Sequence, residues 1–209
     1  MSKIDLNLLD DAEKGYIIGL FLGDGSFNRG HKTPRYVVRF ALDAKRDQDV
    51  VSKLVRIFQK AEKRASVFPR ESILIVKVCS KELVRYIQTS VCYRASGNKK
   101  EKEFRLEREL SKAFRYGLLA GIIDSDGHVH EHLGTEIKTV SLSLFEAILN
   151  LLSNLGMTAT TKKREAGANA YSQKISCALY ISSLQMRKHG SRIPSVKLAR
   201  LAASPNPKD

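Results

Sequence analysis

The sequence has no apolar run approaching the roughly 20 residues that a membrane-spanning helix needs, and its three cysteines form no Cys-x-x-Cys pair. Its first seven residues also lack the apolar core of a secretion signal. We therefore expect a soluble, intracellular protein, cytoplasmic in a prokaryote or organellar, that makes no membrane contact. Cys79, Cys92 and Cys177 fall inside apolar runs, which predicts buried thiols rather than a disulfide framework or a zinc site.

Acidic residues are scarce relative to basic ones. Lysine and arginine number 36 against 22 aspartates and glutamates, which gives a formal net charge of +14. The excess is shared evenly, because residues 1–98 and residues 99–209 each carry 18 basic and 11 acidic side chains. A field of this size attracts polyanions and indicates a nucleic-acid-binding protein. A basic surface without a binding role is the alternative that charge alone leaves open.

A segment near the N-terminus recurs in the second half of the chain. Residues 16–27 read Tyr-Ile-Ile-Gly-Leu-Phe-Leu-Gly-Asp-Gly-Ser-Phe, and residues 116–129 read Tyr-Gly-Leu-Leu-Ala-Gly-Ile-Ile-Asp-Ser-Asp-Gly-His-Val. When the final Asp-Gly pairs are aligned, Gly25 matches Gly127, 102 residues later. A repeat of this length predicts two similar structural units in one chain.

The order of predicted elements after each copy also repeats. In the first half, alternation over residues 35–43 predicts a strand with one basic face. A helix at 47–61, strands at 65–68 and 73–78, and a helix at 80–89 follow. Four side chains of the first strand are expected on its buried face: Tyr36, Val38, Phe40 and Leu42.

In the second half, strands at 128–132 and 136–142 precede a helix at 145–155 and strands at 157–163 and 171–181. Each half is thus predicted to be an αββαββα unit. The predicted fold class is α+β, with two pseudo-symmetric repeats and antiparallel sheets. The expected organisation has four segments: a first repeat at 1–94, a charged linker at 95–104, a second repeat at 105–203 and a flexible tail at 204–209.

Both copies carry small residues four positions apart on a helix that is otherwise apolar. Gly19 and Gly23 in the first copy match Gly121 and Ser125 in the second. Glycine costs about 1 kcal/mol relative to alanine inside a helix, so two on one face indicate that another backbone approaches closely there. We expect the two helices to pack side by side along these faces, related by a pseudo-twofold axis. Two separately buried helices are the alternative.

Each of these helices ends in Asp-Gly. Glycine is a common helix terminator, but an aspartate such as Asp24 or Asp126 adds negative charge where the helix dipole is already negative. If the two helix ends lie together, their carboxylates repel, and a cation that prefers oxygen ligands, such as Mg²⁺, would relieve the repulsion. A basic protein with such a site is suited to metal-assisted hydrolysis of phosphodiesters.

Residues 119–127, Leu-Ala-Gly-Ile-Ile-Asp-Ser-Asp-Gly, resemble the LAGLIDADG signature almost letter for letter. Residues 17–25, Ile-Ile-Gly-Leu-Phe-Leu-Gly-Asp-Gly, form a looser copy. Two copies 102 residues apart resemble the monomeric, two-repeat members of the LAGLIDADG homing endonuclease family. The resemblance spans nearly the whole chain. It implies motif helices packed at the centre and two sheets that form a DNA-binding saddle.

The resemblance also implies a site. Asp24 and Asp126 would bind the catalytic metals, helped by the backbone carbonyls of Gly23 and Ser125. A metal-activated water would attack each scissile phosphate across the minor groove and leave 3′ overhangs. The implied cofactor is Mg²⁺, for which Mn²⁺ would substitute, whereas Ca²⁺ would bind without supporting cleavage. The implied partner is double-stranded DNA with a long target site, bound by a monomer. An intron-encoded protein is favoured over one carried by an intein, and both origins stay open.

The strands of each half would lie in the major groove of that DNA. Arginine on their polar face can recognise guanine through two hydrogen bonds, whereas lysine mainly contacts phosphate. The predicted DNA-binding residues lie on or beside these strands: Asn28, Arg29, Lys32, Arg35, Arg39, Arg64, Arg70, His128, His130, Lys138, Lys162, Arg164 and Lys174.

The family usually places a lysine and a polar residue such as glutamine near the metals. Lys77, at the end of the strand at 73–78, is the candidate catalytic lysine, with an exposed strand-end lysine as the alternative. The matching slot in the second half holds Tyr180. Ala44 and Ser141 stand where the glutamines are expected, so the water-positioning residues differ from the family pattern.

Asp124 and three histidines have competing interpretations. Because the first motif has Leu22 where the second has Asp124, we predict a capping or interface role for this aspartate. An EF-hand is excluded, because Val129 and Thr135 stand where that loop needs glycine and glutamate. Three alternating histidines could form part of a zinc site, but contacts to DNA are the favoured interpretation: His128, His130 and His132.

The sequence therefore predicts a metal-dependent, sequence-specific endonuclease that cuts both strands of DNA. One alternative is a maturase that binds intron RNA on the same fold, which the missing glutamines favour. Another alternative is a DNA-binding regulator that has lost catalysis. Retention of both Asp24 and Asp126 counts against these two alternatives.

Overall fold

The computed structural model describes residues 3–27, 36–96, 99–104, 109–132, 134–164 and 176–203. The first half contains seven elements in the predicted order: α1 (Asp11–Asp24), β1 (Gly25–Phe27), β2 (Val37–Asp43), α2 (Gln48–Lys60), β3 (Ser66–Arg70), β4 (Ile73–Cys79) and α3 (Lys81–Ser90). Two strands connect the halves: β5 (Val91–Ser96) and β6 (Lys99–Phe104). The second half repeats the seven elements and adds a final helix: α4 (Lys112–Asp126), β7 (Gly127–Val129), β8 (Thr135–Thr139), α5 (Leu142–Asn154), β9 (Thr160–Arg164), β10 (Ser176–Ile181), α6 (Ser183–His189) and α7 (Val196–Ala202).

Each half forms one four-stranded sheet. The strand order is β1-β2-β4-β3 in the first half and β7-β8-β10-β9 in the second. All of these pairs are antiparallel. Both sheets have their first, second, fourth and third strands in this spatial order. The predicted α+β fold of two αββαββα repeats is therefore confirmed.

The motif helices α1 and α4 pack against each other along their small residues. A Cβ atom added at Gly19 would overlap the carbonyl oxygen of Leu118, and one added at Gly121 would overlap that of Tyr16. The two backbones therefore approach more closely than any side chain larger than hydrogen permits. The predicted packing of the two helices is confirmed, and Gly15 and Gly117 extend the same contact toward the helix N-termini.

The core side of β2 follows the predicted alternation with one exception. Val38, Phe40 and Leu42 are buried, as expected for one face of a half-buried strand. Tyr36 is 40% exposed, because strand pairing begins only at the next residue. The prediction that Tyr36 shares the buried face is therefore wrong.

The boundary between β8 and α5 differs from the prediction. The side chain of Ser141 accepts a hydrogen bond from the backbone N–H of Leu144 and caps the helix. α5 therefore begins at Leu142, three residues earlier than predicted, and β8 ends at Thr139 instead of continuing to that point. β7 is also shorter than predicted and contains three residues.

The connection between the halves is a β-hairpin, at the place where the sequence predicts a charged linker at 95–104. β5 pairs with β6 along their whole length, and the side chain of Phe104 is buried. The tail predicted at 204–209 lies outside the described residues. Among the residues that are described, no helix has the length and apolar composition needed to cross a membrane.

Candidate active site

The two motif helices end beside each other. α1 ends at Asp24 and α4 ends at Asp126. A Cβ atom added at Gly23 would lie 2.5 Å from Cβ of Ser125 and 3.0 Å from Cγ of Asp126. The last turn of α1 therefore touches the last turn of α4, and the structure brings the two motif aspartates to one place. Gly23 allows this approach because it has no side chain.

Burial raises the pKa of both motif aspartates. Burial raises the pKa of Asp24 to about 7, and the nearby Asp126 carboxylate adds to the rise. Asp126 is more open to solvent, yet partial desolvation also raises its pKa, against the opposing effect of Lys102 and Lys197. At neutral pH the pair therefore carries less than two full negative charges unless a further cation joins it.

Lys102, in β6, reaches the carboxyl end of α1. Its Nζ donates hydrogen bonds to the carbonyl oxygens of Phe21, Leu22 and Gly23 at 2.8, 3.0 and 2.9 Å. These bonds use all three ammonium protons, and the positive charge faces the negative end of the helix dipole. Burial lowers the pKa of Lys102 to about 8, a shift that the two motif aspartates oppose.

Lys197, in α7, makes the corresponding contact with α4. Its Nζ donates to the carbonyl oxygens of Ser125 and Gly127, each at 3.2 Å. Each motif helix thus has a lysine at its carboxyl end, supplied by the hairpin between the halves for α1 and by α7 for α4. The sequence analysis missed both lysines. One signal was available for Lys102, because the period of two places it on the same face of its strand as Phe104.

Asp124 is fully buried and anchors α7. Its carboxylate accepts hydrogen bonds from the hydroxyls of Tyr16 and Ser195 at 2.9 and 2.5 Å. It also accepts from the backbone N–H groups of Val196 and Lys197 at 2.9 and 3.1 Å. These bonds hold the first turn of α7 against both motif helices, so the predicted capping and interface role of Asp124 is confirmed.

The carboxylate oxygens of Asp24 and Asp126 fit a divalent cation. They are ligands of the kind that Mg²⁺ prefers, and burial together with the Asp126 carboxylate raises the pKa of Asp24, which makes its charged form costly without a cation. The predicted carbonyl ligands, Gly23 and Ser125, already accept hydrogen bonds from the two lysines. Within the part of the chain that the structure describes, no group of three or more His, Cys, Asp or Glu side chains could hold a metal. A cation here would bind the two carboxylates, and the carbonyl oxygens of Gly23 and Ser125, each with a second lone pair, stay predicted ligands.

The outer face of the first sheet carries a row of polar side chains beside this site. The register pairs Ser26 with Arg39, Arg39 with Lys77, and Lys77 with Ser66. Neighbouring strands lie about 4.8 Å apart, so Lys77 is roughly 10 Å from Ser26 and belongs to the sheet face. Nε of Arg39 is buried and has no hydrogen-bond partner among the residues described.

The equivalent row in the second sheet has a different chemistry. The register pairs His128 with Glu136, Glu136 with Tyr180, and Tyr180 with Thr160. Tyr180 therefore occupies the place of Lys77, as the sequence alignment predicts. The row has an acidic and an aromatic residue where the first sheet has two basic residues.

The other predicted DNA contacts of the second half surround this row. The ring of His130 lies 4.6 Å from that of His128 and nearly perpendicular to it. Lys138 forms a 2.8 Å ion pair with Glu136, and it lies across Ala178 from the exposed Lys162. Part of the positive charge on this face is therefore balanced within the protein.

The remaining predicted DNA contacts are scattered or lie outside the described residues. Arg64 is exposed before β3, and Arg70 is exposed at its end. Arg164 is the last residue of β9. The following predicted contacts fall outside the described residues: Asn28, Arg29, Lys32, Arg35 and Lys174.

Comparison with known proteins agrees with this geometry. Residues 111–197 match the family model described as homing endonuclease, a span from the cap of α4 to the first turn of α7. The structure of I-DmoI in complex with DNA and Mn matches 88% of this chain and 96% of its own, with 16% identity and a TM-score of 0.62. The chain has the LAGLIDADG homing endonuclease fold. The predicted resemblance to that family is confirmed.

Two further LAGLIDADG structures have the same fold. The homing endonuclease I-WcaI bound to its DNA recognition sequence matches 92% of this chain and 83% of its own, with 12% identity and a TM-score of 0.60. The N-terminal LAGLIDADG domain of DUF199/WhiA matches 91% of this chain and 86% of its own, with 13% identity and a TM-score of 0.58. A search of curated proteins found no match.

The two positions where LAGLIDADG proteins are expected to carry glutamine hold residues with local backbone contacts instead. Ser141 caps α5. The N–H of Ala44, just after β2, donates to the carbonyl oxygen of Ser72. Neither side chain is an amide.

Proposed function

We propose that this LAGLIDADG protein is a site-specific endonuclease that hydrolyses both strands of double-stranded DNA with a divalent metal bound by Asp24 and Asp126. The observation that carries the proposal is the convergence of these carboxylates at the ends of abutting helices, where the pKa of Asp24 rises to about 7. Acidic residues at helix C-termini are unfavourable for folding. Their presence at both ends is therefore explained best by a cation that they bind together.

The two motif aspartates would hold the metal that hydrolyses the phosphodiesters. A bound metal would lower the pKa of a water molecule and offset charge on the phosphate. Asp24 and Asp126 lie on the two sides of the pseudo-twofold axis, so each would serve one DNA strand. Gly25 and Gly127 end the helices directly after these carboxylates.

The outer faces of the two sheets would supply the DNA contacts. Arg39 has a buried donor without a partner among the described residues, which suits recognition of a guanine edge. Lys77 and Lys162 suit phosphate contacts, and His128 follows the second motif aspartate by two residues. A cleft of about 540 Å³ beside the second motif, lined in part by Arg46, offers a further place for the DNA backbone. The net charge of +14 supports binding along an extended polyanion.

The relatives support the choice of partner and cofactor. I-DmoI has been crystallised with DNA and Mn, with DNA and Ca, and as a variant with its target DNA and Mg. For this chain we propose Mg²⁺ as the working cation, Mn²⁺ as a substitute, and Ca²⁺ as a cation that supports binding without cleavage. Because both repeats lie in one chain, the active form is a monomer.

A plasmid library with randomised inserts tests the proposal. The protein is incubated with the library and Mg²⁺, and the ends of linear products are sequenced. The wild-type protein is expected to linearise a subset of plasmids that share one long site, with 3′ overhangs. Asp24→Asn and Asp126→Asn should each lower double-strand cleavage by at least about 100-fold, and both should retain DNA binding in Ca²⁺.

The matched control is Glu62→Gln, which removes an exposed carboxylate after α2 and should leave cleavage unchanged. If Asp24→Asn or Asp126→Asn cuts both strands at the wild-type rate, the catalytic assignment is wrong. Because the plasmid is cut only where the library contains the site, the same experiment also identifies the target sequence.

One observation favours a second candidate, a DNA-binding protein without nuclease activity. The carbonyls of Gly23 and Ser125 accept hydrogen bonds from two lysines, whose positive charges repel a divalent metal. Such a protein would give no linear product in Mg²⁺ or Mn²⁺ but would still select a sequence from the library in a binding assay. Selection of a structured RNA in preference to DNA would instead indicate a maturase.

A further inference from the structure

The outer face of the first sheet carries a second row of side chains, and this row is apolar. The register pairs Ala41 with Ile75, and Ile75 with Phe68. Each of these residues is two positions along its strand from the polar row that contains Arg39 and Lys77, so both rows lie on one face of the sheet. We call Ala41, Ile75 and Phe68 the apolar row.

The apolar row is separate from the hydrophobic core. The adjacent residues Phe40 and Val76 pair with each other, point to the opposite face and are fully buried. Phe68 is 39% exposed, and Ala41 is exposed as well. Ile75 is buried but lies outside the continuous core that contains Phe40 and Val76. Antiparallel sheets with one solvated face usually alternate apolar and polar side chains, so folding alone does not explain this row.

The matching row of the second sheet is basic. Ala178 occupies the place of Ile75 in the repeat, and it pairs with Lys138 on one side and with Lys162 on the other. Lys162 therefore stands where the first sheet has Phe68. Because the two halves share this arrangement of strands, the apolar row is a property of one half and is not imposed by the fold.

The apolar row begins beside the carboxyl end of α1. β1 starts at Gly25, directly after Asp24, and Gly25 pairs with Phe40, the residue before Ala41. Neighbouring strands are about 4.8 Å apart, so the row extends roughly 10 Å from Ala41 to Phe68. DNA that contacts Asp24 and this face of the sheet would present the edges of its bases to the row.

The chemistry of the apolar row favours one base over the others. Alanine, isoleucine and phenylalanine have no side-chain hydrogen-bond donor or acceptor. All four bases present polar groups in the major groove, but only thymine adds a methyl group. A polar base edge that loses water here without gaining a partner is penalised, whereas burial of a methyl group is favourable. Alanine and phenylalanine are among the side chains that contact the thymine methyl group.

We propose that the apolar row reads thymine in the half-site bound by the first sheet, through contact of Phe68 and Ile75 with the 5-methyl group in the major groove. This inference rests on the DNA binding in the proposed function and does not depend on cleavage. It gives the target site an asymmetric composition. The half-site under the first sheet contains a T·A pair that is recognised by burial of its methyl group, whereas at the same place the second sheet contacts phosphate through Lys162.

Replacement of thymine by deoxyuridine tests the inference, because it removes only the methyl group. The wild-type protein first selects its site from a library of random DNA duplexes in Ca²⁺. Each thymine of the selected site is then replaced singly by deoxyuridine, and the Kd is measured by fluorescence anisotropy. At one thymine, or at two neighbouring ones, in a single half-site the replacement should raise the Kd by about threefold to fivefold. This measurement uses the wild-type protein, so it does not depend on whether a variant folds.

The variant Phe68→Ala connects the methyl effect to the apolar row. It should bind the thymine duplex and the deoxyuridine duplex with equal affinity, and thermal melting verifies that it is folded. The matched control is Val67→Ala. Val67 is 43% exposed and pairs with the buried Val76, so it lies on the opposite face of the same strand. This control should keep the wild-type preference for thymine, as should Lys162→Ala, which should weaken binding to all sequences alike.

The outcomes separate this inference from the proposed function. If deoxyuridine is tolerated at every thymine of the selected site, the inference is wrong and DNA binding stands. A methyl effect that persists in Phe68→Ala also overturns the inference. A methyl effect that is lost in Phe68→Ala and kept in Val67→Ala supports it. If that pattern is found and the selected site is not cut in Mg²⁺, the nuclease proposal alone fails. If no sequence is selected from the library, both the inference and the site-specific nuclease are wrong.

Discussion

The two halves of this protein share a backbone and differ in what their sheets display. Both motif helices end in Asp-Gly, and both receive a lysine at their carboxyl end. Beside these ends, the first sheet presents Arg39 and Lys77, whereas the second presents Glu136 and Tyr180 at the same places. Symmetry is therefore kept where the helices meet and lost on the outer faces. This difference is expected if one shared centre serves two sheets that each contact a different stretch of the partner.

The lysines at the carboxyl ends of the two motif helices also come from different kinds of element. The hairpin between the halves places Lys102 at the end of α1, and the short C-terminal helix α7 places Lys197 at the end of α4. Only the helix needs an N-terminal anchor, and Asp124 provides it. The first motif has Leu22 at the matching position. The extra acid of the second motif is thus explained by the element that follows that half rather than by catalysis.

Substitutions in the interface between α1 and α4 should have the largest effect on the free energy of unfolding. Gly19→Ala places a methyl group onto the carbonyl oxygen of Leu118, so the helices must separate. We expect a loss of about 4 kcal/mol or more in the free energy of unfolding, measured by urea denaturation. Gly121→Ala should have a similar effect. Gly190→Ala, where nothing lies within 4 Å of an added Cβ, is the matched control and should stay near wild type. Equal stability of all three variants would contradict the described packing.

Loss of the Asp124 carboxylate, which anchors α7, should have the next largest effect on stability. This effect should be confined to the second half. Asp124→Asn removes the charge from a buried acceptor of four hydrogen bonds and should cost about 2–4 kcal/mol. Hydrogen exchange of the Val196 and Lys197 amides should accelerate before that of the first-half hairpin. Glu136→Gln, which breaks only a surface ion pair, should cost less than about 1 kcal/mol. Uniform acceleration in both halves would argue against a local anchor.

The charge on Asp24 should make stability depend on pH in the metal-free protein. The pKa of Asp24 rises to about 7 in the folded state, against about 3.9 when the chain is unfolded. The folded state therefore binds this proton more tightly, and the stability that the proton contributes is lost as pH rises from about 4 through 7. Asp24→Asn should raise the free energy of unfolding by about 1–3 kcal/mol at about pH 8 and change it little at about pH 4.

Asp43 provides a control of opposite sign for this titration. Its pKa is lowered by hydrogen bonds from the backbone N–H groups of Arg46 and Lys45. Asp43→Asn should therefore lose a small amount of stability above the usual aspartate pKa, where Asp24→Asn gains it. Thermal melting with a chelator across this pH range measures both. A melting temperature of Asp24→Asn that stays below wild type at alkaline pH would show that the charged Asp24 carboxylate does not destabilise the folded state.

The fold could be predicted from the sequence because its signals are local. Glycine spacing, the Asp-Gly ends and the alternation of strands each need only a short window. The lysines of the site could not be predicted in this way, because Lys102 contacts Phe21, 81 residues earlier in the chain. Its strand is so charged that its pattern indicates a linker, and only pairing with β5 makes it a hairpin. Lys77, the lysine chosen from the sequence, lies on the sheet face instead.

Substitutions on the outer faces of the two sheets should have the smallest and most specific effect, a change in the DNA bases that the protein prefers. If each sheet contacts its own half-site, Arg39→Ala should relax the choice of one or two base pairs in one half-site, by about 1–3 kcal/mol at those positions. Glu136→Ala, at the same place in the other sheet, should change only the opposite half-site. Cleavage of a library of site variants by the two proteins measures both profiles. Changes at the same positions in both profiles would mean that the sheets do not read separate halves, and the asymmetry of their outer faces would need another explanation.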